Sequence, residues 1–378
     1  MCGGTVFFVI CCIVMRLFVP LLRFKEFGVN MLAPILTEYE HEQLESLVKQ
    51  ARNVVLVAHQ NPDGDAVGSL AAMTLLLRRM GKKVTAMVPN PFPDFLRWVP
   101  TATEILLGDR QHYKVDNALG RADLLVMLDF NSPRRLGDQL MEKVMAAKAR
   151  RLQIDHHLDP DVPCRLTISH PEMCSTCEVL LRVMLEMGWT EGLTQEEATA
   201  LYTGMMTDTG NFSYASSRPE IFEALSILLA TGIDKDRIYR NVFYTHTEGR
   251  FRLLGYLLYE KMEVLEELHT TIITMTNEER LRFKTKNGAT EGFVNLPLEM
   301  EGMKLSIFLR EDTEKKGLIR VSTRSVDDFP CNEMCAEFFN GGGHKNASGG
   351  SLMMTMEEAL EVVHRAVEAY GDRLKTNG

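Results

Sequence analysis

The sequence has no hydrophobic run long enough to cross a bilayer, no excess of basic charge, no low-complexity tract and no disulfide framework. Each absence removes a class of protein. A membrane span needs about 20 consecutive apolar residues, and the apolar stretch from Thr5 to Met15 is broken by Arg16 before Leu17 to Leu22 resumes it. No basic region precedes that stretch and no small-residue cleavage site follows, so a secretory signal is not indicated. A net charge of -9 argues against a broad basic surface for long nucleic acid. It leaves room for a small phosphorylated substrate held by a few local arginines. The eight cysteines are too few for a disulfide scaffold in 378 residues. Cys174-Ser175-Thr176-Cys177 has no second pair at zinc spacing and precedes a helix, so a structural role is expected. Ser175 and Glu178 read as a capping box opening that helix. No Ser-His-Asp or Cys-His arrangement suggests a covalent nucleophile, and Ser69 reads as a turn or helix-start residue.

What the chain does have is His59-Gln60-Asn61-Pro62-Asp63-Gly64-Asp65-Ala66-Val67-Gly68-Ser69, directly after the apolar run Val54 to Ala58. An imidazole and two carboxylates stand where a buried strand runs out into a turn. The segment reads either as an Asp-Gly turn or as part of a site for a hard divalent metal. The rest of the chain decides between them.

The expected organisation is α/β. Thr37 and Glu40 form a capping box, and Leu44, Leu47, Val48 and Ala51 share a helical face. Apolar runs at 54–58, 84–88, 124–128 and 152–154 read as strands buried on both faces. A helix over 70–80, closed by Gly81, lies between the first two. Strands alternating with helices imply a parallel sheet. Helices are expected near 178–187 and 195–206, the second opened by Thr194 and Glu197. Gly204 to Phe212 reads as a turn-rich loop carrying Asp208. Pro219 opens a further helix that Gly232 closes. The expected domains are an apolar extension over 1–30, a catalytic domain over 31–246, a helical linker over 247–265 and a smaller α+β domain over 266–378. For the extension, an over-extended start with translation from near Met31 is favoured over a membrane anchor. In the last domain 270–275, 304–309 and 318–323 read as strands, and 332–339 and 356–370 as helices.

In an open parallel sheet the site lies beyond the carboxyl ends of the strands. His59, Asp129 and Asp155 each stand where an apolar run stops, so the fold brings them to one edge. With Asp63, Asp65, His156, His157 and Asp208 they crowd more carboxylates together than a low dielectric tolerates without cations. Two metals about 3.5–4 Å apart, bridged by one carboxylate, solve that problem. Carboxylates and imidazoles without thiolate favour manganese or magnesium over zinc.

These residues resemble the DHH phosphoesterases, a family named after the triplet seen here as Asp155-His156-His157. The motif from His59 to Ser69 matches in full, Asp129 and Asp208 stand where the family has its second and fourth aspartates, and Gly341-Gly342-Gly343-His344 with Ala347 is similar to the signature of the DHH-associated C-terminal domain. The resemblance covers roughly 36–375. It implies that His59, Asp63 and Asp129 hold one metal, and that Asp65, Asp129, His156 and Asp208 hold the other. Asp155 would orient a ligand histidine, and His157 would contact the phosphate or help the leaving group. An acidified water would then attack phosphorus in line. Two departures stand out: Ser348 replaces an alanine after the glycine run, and Asn131 stands where relatives often have an acidic residue.

The order of motifs, the compact size and the glycine signature resemble the branch acting on short oligoribonucleotides and on 3'-phosphoadenosine 5'-phosphate. Gly341, Gly342 and Gly343 would let the backbone approach a phosphate, and His344 would contact a terminal phosphate or base. Arg320 and Arg324 fall on one face of a strand, with Arg324 preferred as the phosphate fork. Arg135 is a further candidate contact. Hydrolysis of cyclic or linear dinucleotides is the alternative, and a non-catalytic nucleotide sensor is the alternative of another class. A cytoplasmic protein is expected, with no long nucleic acid or membrane partner, and a homodimer is left open.

Overall fold

The computed structural model describes residues 32–285 and 288–375; the apolar extension and the proposed start at Met31 lie outside them. The described chain divides into two units between Tyr244 and Thr245.

In the first unit, α1 (Glu38–Gln50) opens on the Thr37–Glu40 capping box and buries Leu44, Leu47 and Val48. The order then runs β1 (Asn53–Val57), α2 (Gly64–Arg79), β2 (Lys83–Val88), β3 (Leu106–Leu107), α3 (His112–Arg121), β4 (Leu124–Leu128), α4 (Gly137–Ala146), β5 (Arg150–Asp155) and β6 (Leu166–Ser169). Four helices follow: α5 (Thr176–Glu186), α6 (Gln195–Asp208), α7 (Pro219–Ala230) and α8 (Lys235–Phe243). The six strands form a sheet of order β3-β2-β1-β4-β5-β6. All its pairings are parallel. The apolar runs are continuous because both faces are covered. Leu56, Val126 and Ile154 pack with residues of α2, α5 and α6, and Val55, Val57, Leu125 and Met127 pack with residues of α3 and α4. The strand order reverses between β1 and β4, and at such a switch point a crevice opens beyond the strand ends.

Two expected boundaries move, both beside the site. Helix α2 begins at Gly64, six residues before the expected start, because Asp63 caps it by accepting N–H bonds from Asp65 and Ala66. The segment from Gly204 was expected to be a loop, but α6 runs on to Asp208. Its glycine does not break the helix because it serves packing. A Cβ at Gly204 would collide with Cys177 Sγ and lie 2.8 Å from Asp65 Oδ1, while one at Gly68 on α2 would lie 2.6 Å from the Ala200 carbonyl. These glycines let α2, α5 and α6 approach closely enough for Asp65 to reach the first turn of α5.

The second unit holds α9 (Glu248–Tyr256), β7 (Met262–Leu265), β8 (Thr270–Met275), α10 (Asn277–Arg282), β9 (Leu305–Glu311), β10 (Leu318–Ser325), α11 (Cys331–Phe338), β11 (Gly342–His344), β12 (Ala347–Met353), α12 (Met356–Ala369) and α13 (Gly371–Lys375). The expected helical linker over 247–265 is corrected. A wider helical turn carries α9 on to Lys261, and the last four residues form β7, antiparallel to β8. Leu253 and Leu257 pack into this unit's own core with Ile273 and Phe293, so the helix belongs to it. The mixed sheet has the order β11-β12-β10-β9-β8-β7. The glycine run is a short strand, which no alternation of side chains announces.

Gly204→Ala is expected to lower the melting temperature, by a cost of about 1–3 kcal/mol typical of overpacking. It should also weaken metal binding, because the new methyl meets Asp65. Differential scanning calorimetry with and without Mn2+ checks both; an unchanged Tm refutes the packing role.

Candidate metal centre

The site starts from strand ends. After β1, His59 is buried; its Nδ1 lies 2.8 Å from the Gln60 carbonyl and donates to it. In the neutral ring Nε2 then carries the lone pair; it lies 3.3 Å from Asp129 Oδ2 and 3.9 Å from Asp63 Oδ2. That nitrogen is buried with no hydrogen-bond partner, as a ligand atom should be. Burial opposes the imidazolium, but Asp129 beside the ring, reinforced by Asp63, outweighs it and raises the pKa of His59 to about 9. Asn61, in the left-handed region at φ 53°, is clamped by Asn90. Its N–H donates to Asn90 Oδ1 at 2.7 Å, and Asn90 Nδ2 donates to Asn61 Oδ1 at 2.8 Å. The Gln60 N–H donates to the Arg135 carbonyl at 2.7 Å.

After β4, Asp129 takes φ 66°, a conformation that Asp tolerates better than most residues. Next to it the Phe130 carbonyl accepts a 2.9 Å bond from buried Gln153 of β5. The carboxylate of Asp129 is 1% exposed. Burial and then the charge of Asp65 push its pKa well above the usual carboxylate range. Asp208, the last residue of α6, is pushed up for the same two reasons.

The DHH triplet ends β5. His156 sets its Nδ1 3.3 Å from the Met173 carbonyl and its Nε2 3.4 Å from Asp208 Oδ2, 3.7 Å from Asp129 Oδ1 and 4.0 Å from Asp65 Oδ2. Burial again opposes protonation, and Asp65 and Asp208 raise its pKa nonetheless. Asp155 was expected to orient a ligand histidine. Its Oδ1 instead accepts from His157 Nδ1 at 2.8 Å and from the His156 backbone N–H at 2.9 Å. Its partner is therefore the third histidine, while a backbone carbonyl fixes the ring of His156.

Three groups of donor atoms each lie within 4.8 Å: His59, Asp63 and Asp129; Asp65, His156 and Asp208; and Asp129, His156 and His157. Asp129 aims Oδ2 at His59 and Oδ1 at His156. Carboxylate oxygens and imidazole nitrogens at these separations can hold a divalent metal ion.

The sequence reading missed the first turn of α5. Thr176 N donates to Asp65 Oδ2 at 2.6 Å, Cys177 N to Asp65 Oδ1 at 2.9 Å, and Thr176 Oγ1 to Asp129 Oδ1 at 3.0 Å. The Ser175 cap was the available signal, since the first amides of a helix seek acceptors. The capping box itself is only half formed. Ser175 Oγ accepts from the Glu178 N–H, but buried Glu178 accepts from the Cys174 N–H at 2.8 Å and pairs with Arg218 at 2.7 Å.

Of the expected substrate contacts, Arg135 sits at the first unit's edge, in the short helical turn Pro133–Leu136. The others lie on the second unit's sheet. Arg324 pairs across β10 and β12 with Ala347, which pairs with His344 of β11, so Arg324 and His344 share one row and one face. Gly342 faces Gly349 in the next row of that face. Gly341 precedes the strand and Gly343 alternates to the opposite face. Arg320 donates to Asp312 at 2.7 Å. That bond, with the Lys315 and Glu314 amides, lowers the pKa of Asp312 to about 2.

A parallel sheet with carboxylates and imidazoles gathered at its switch point defines a metal-dependent hydrolase. The DHH family, N-terminal domain, matches residues 53–205, and the DHHA1 domain matches residues 269–370. The chain belongs to the DHH family of phosphoesterases. It is 28% identical over 317 residues to the bifunctional oligoribonuclease and PAP phosphatase NrnA of Thermus thermophilus, covering 83% of this chain and 89% of that one. It is 26% identical over 343 residues to the cyclic-di-AMP phosphodiesterase PdeA of Listeria monocytogenes, covering 87% of this chain and 49% of that one. The crystal structure of an exopolyphosphatase-related protein from Bacteroides fragilis superposes with a TM-score of 0.88 at 45% identity, over 91% of this chain and 100% of that one.

Asp155→Asn keeps the shape but weakens the hold on His157, and a loss of about 10–100-fold in turnover is expected, as for other supporting carboxylates. Steady-state hydrolysis of a chromogenic phosphodiester, with Tm as the folding control, tests this. Wild-type turnover would remove Asp155 from the machinery.

Proposed function

We propose that this chain hydrolyses short oligoribonucleotides to mononucleotides and 3'-phosphoadenosine 5'-phosphate to AMP, using two divalent ions, Mn2+ or Mg2+. The observation that carries the two-ion reading is the orientation of Asp129, whose two oxygens face two different histidines. His59, Asp63 and Asp129 would hold one ion, and Asp65, Asp129, His156 and Asp208 the other. The all-oxygen and imidazole donor set suits hard ions, and the partnerless Nε2 of His59 fits the assignment. Bound ions there supply charge neutralisation and an acidified water for in-line attack on phosphorus.

The chain's own groups do the rest. His157, its Nδ1 held by Asp155, contacts the phosphate and steadies the charge that develops toward the leaving group. Arg135 is a further phosphate contact from the same edge. On the second unit, Arg324 and His344 in one row offer a guanidinium fork and an imidazole to a phosphate or base, while Gly341, Gly342 and Gly343 leave the backbone open to close approach. Arg320 is committed to Asp312, which leaves Arg324 as the better fork. The net charge of -9 disfavours long strands. None of the described helices is long and apolar enough to cross a membrane, in keeping with the cytoplasmic setting we propose. A homodimer is compatible with this reading. The similarity to a cyclic-di-AMP phosphodiesterase supports a second reading, hydrolysis of cyclic or linear dinucleotides at the same ligands. A non-catalytic sensor would have no need of complete donor sets.

One substrate panel with Mn2+ separates these readings: pApA, longer oligoribonucleotides, 3'-phosphoadenosine 5'-phosphate, cyclic dinucleotides and pyrophosphate. Turnover of pApA and the bisphosphate is expected, falling with chain length. Degradation of a long single strand as fast as a dinucleotide would overturn the size selection. Asp129→Ala should abolish hydrolysis with the fold retained, and Arg324→Ala should raise KM about tenfold with kcat largely kept, as for a uniform binding contact.

A further inference from the structure

We infer that Thr176 is a positioning residue that holds Asp129 in its bridging orientation and so determines whether a second metal ion binds. The inference rests on the two-ion reading above.

Thr176 is fully buried, so no bulk water competes for its hydroxyl. That hydroxyl has one proton, given to Asp129 Oδ1 at 3.0 Å. A carboxylate at the end of a short side chain turns readily about its last bond. A donor on Oδ1 fixes the plane, with Oδ2 toward His59 and Oδ1 toward His156. Without that bond, Asp129 can turn both oxygens toward one ion and abandon the other. The same residue holds the second group as well, because its backbone N–H donates to Asp65 Oδ2 at 2.6 Å.

Thr176 is itself held rigidly. Ser175 caps the helix that it opens, and two positions on, Glu178 ties that turn to Arg218, the residue immediately before α7. Such an anchored donor selects one geometry among those open to the carboxylate, which is how outer partners tune metal sites. Valine has nearly the shape of threonine and lacks the hydroxyl, serine keeps the hydroxyl, and all three keep the backbone N–H. The three side chains therefore separate the hydroxyl from the helix position.

The test is Mn2+ titration of the full chain, following stoichiometry by calorimetry and the coupling between ions by electron paramagnetic resonance. Wild type and Thr176→Ser are expected to bind two ions with an exchange-coupled spectrum. Thr176→Val is expected to keep one ion, bind the second about tenfold or more weakly, and give the spectrum of an isolated ion. Thr176→Ala carries the same comparison if the valine variant does not fold, as judged by circular dichroism. Two coupled ions in the folded valine or alanine variant would overturn the role of Thr176. A serine variant that fails like valine would overturn it too, by showing that shape matters and the hydroxyl does not. Fewer than two ions in the wild type would overturn the two-ion reading and this inference with it.

Discussion

The structure depends on one electrostatic constraint: several carboxylates must sit together, largely out of water, at the edge of a parallel sheet. Asp65 and Asp129 are each 1% exposed, and Asp208 stands close by at the end of α6. Burial first, and then the like charge of Asp65, push the pKa values of Asp129 and Asp208 well above the usual carboxylate range. The fold answers with donors from several directions. The first turn of α5 gives two amides and a hydroxyl, His59 and His156 face the carboxylates from β1 and β5, and Asp155 receives His157. The close glycine packing of α2 against α6, the cap at Asp63 and the left-handed turn at Asp129 are the backbone's share of the same solution.

Much of this was legible because burial writes itself into strands. Runs such as Leu124 to Leu128 are apolar without alternation because both faces are covered, and three of them end at His59, Asp129 and Asp155 where the sheet edge begins. The candidate metal ligands followed from that rule and from the motif. The rest was hidden where one residue serves two ends. Asp63 reads as a ligand, yet it is also the cap that starts α2 six residues early. Gly204 reads as the start of a turn-rich loop, yet it is a contact point of a helix that continues to Asp208. β11 has almost no side chains to form a pattern, and β7 follows a helix without a breaker between them. The link from Thr176 to Asp65 and Asp129 spans long stretches of sequence, and no local pattern could show it.

The second unit shows how a register separates residues that spacing alone leaves equal. Arg320 and Arg324 lie on one face of β10, and either could serve a phosphate. Arg320 is drawn to Asp312, whose carboxylate also accepts the Lys315 and Glu314 amides. Arg324 stands in the row of Ala347 and His344, across positions filled by small residues. Glycine at 342 and 349 keeps the neighbouring positions of the next row low.

The three histidines divide by what stands behind each ring. His59 and His156 donate Nδ1–H to backbone carbonyls, of Gln60 and Met173. In the neutral ring a carbonyl at Nδ1 fixes the tautomer with the lone pair on Nε2, which is the form a metal ligand must take once a cation displaces the proton. His157 is backed by a carboxylate, Asp155. A carboxylate also fixes the ring, but in addition it stabilises positive charge if the imidazole takes a proton during reaction. Adjacent histidines of one triplet thus have different groups behind their Nδ1 atoms.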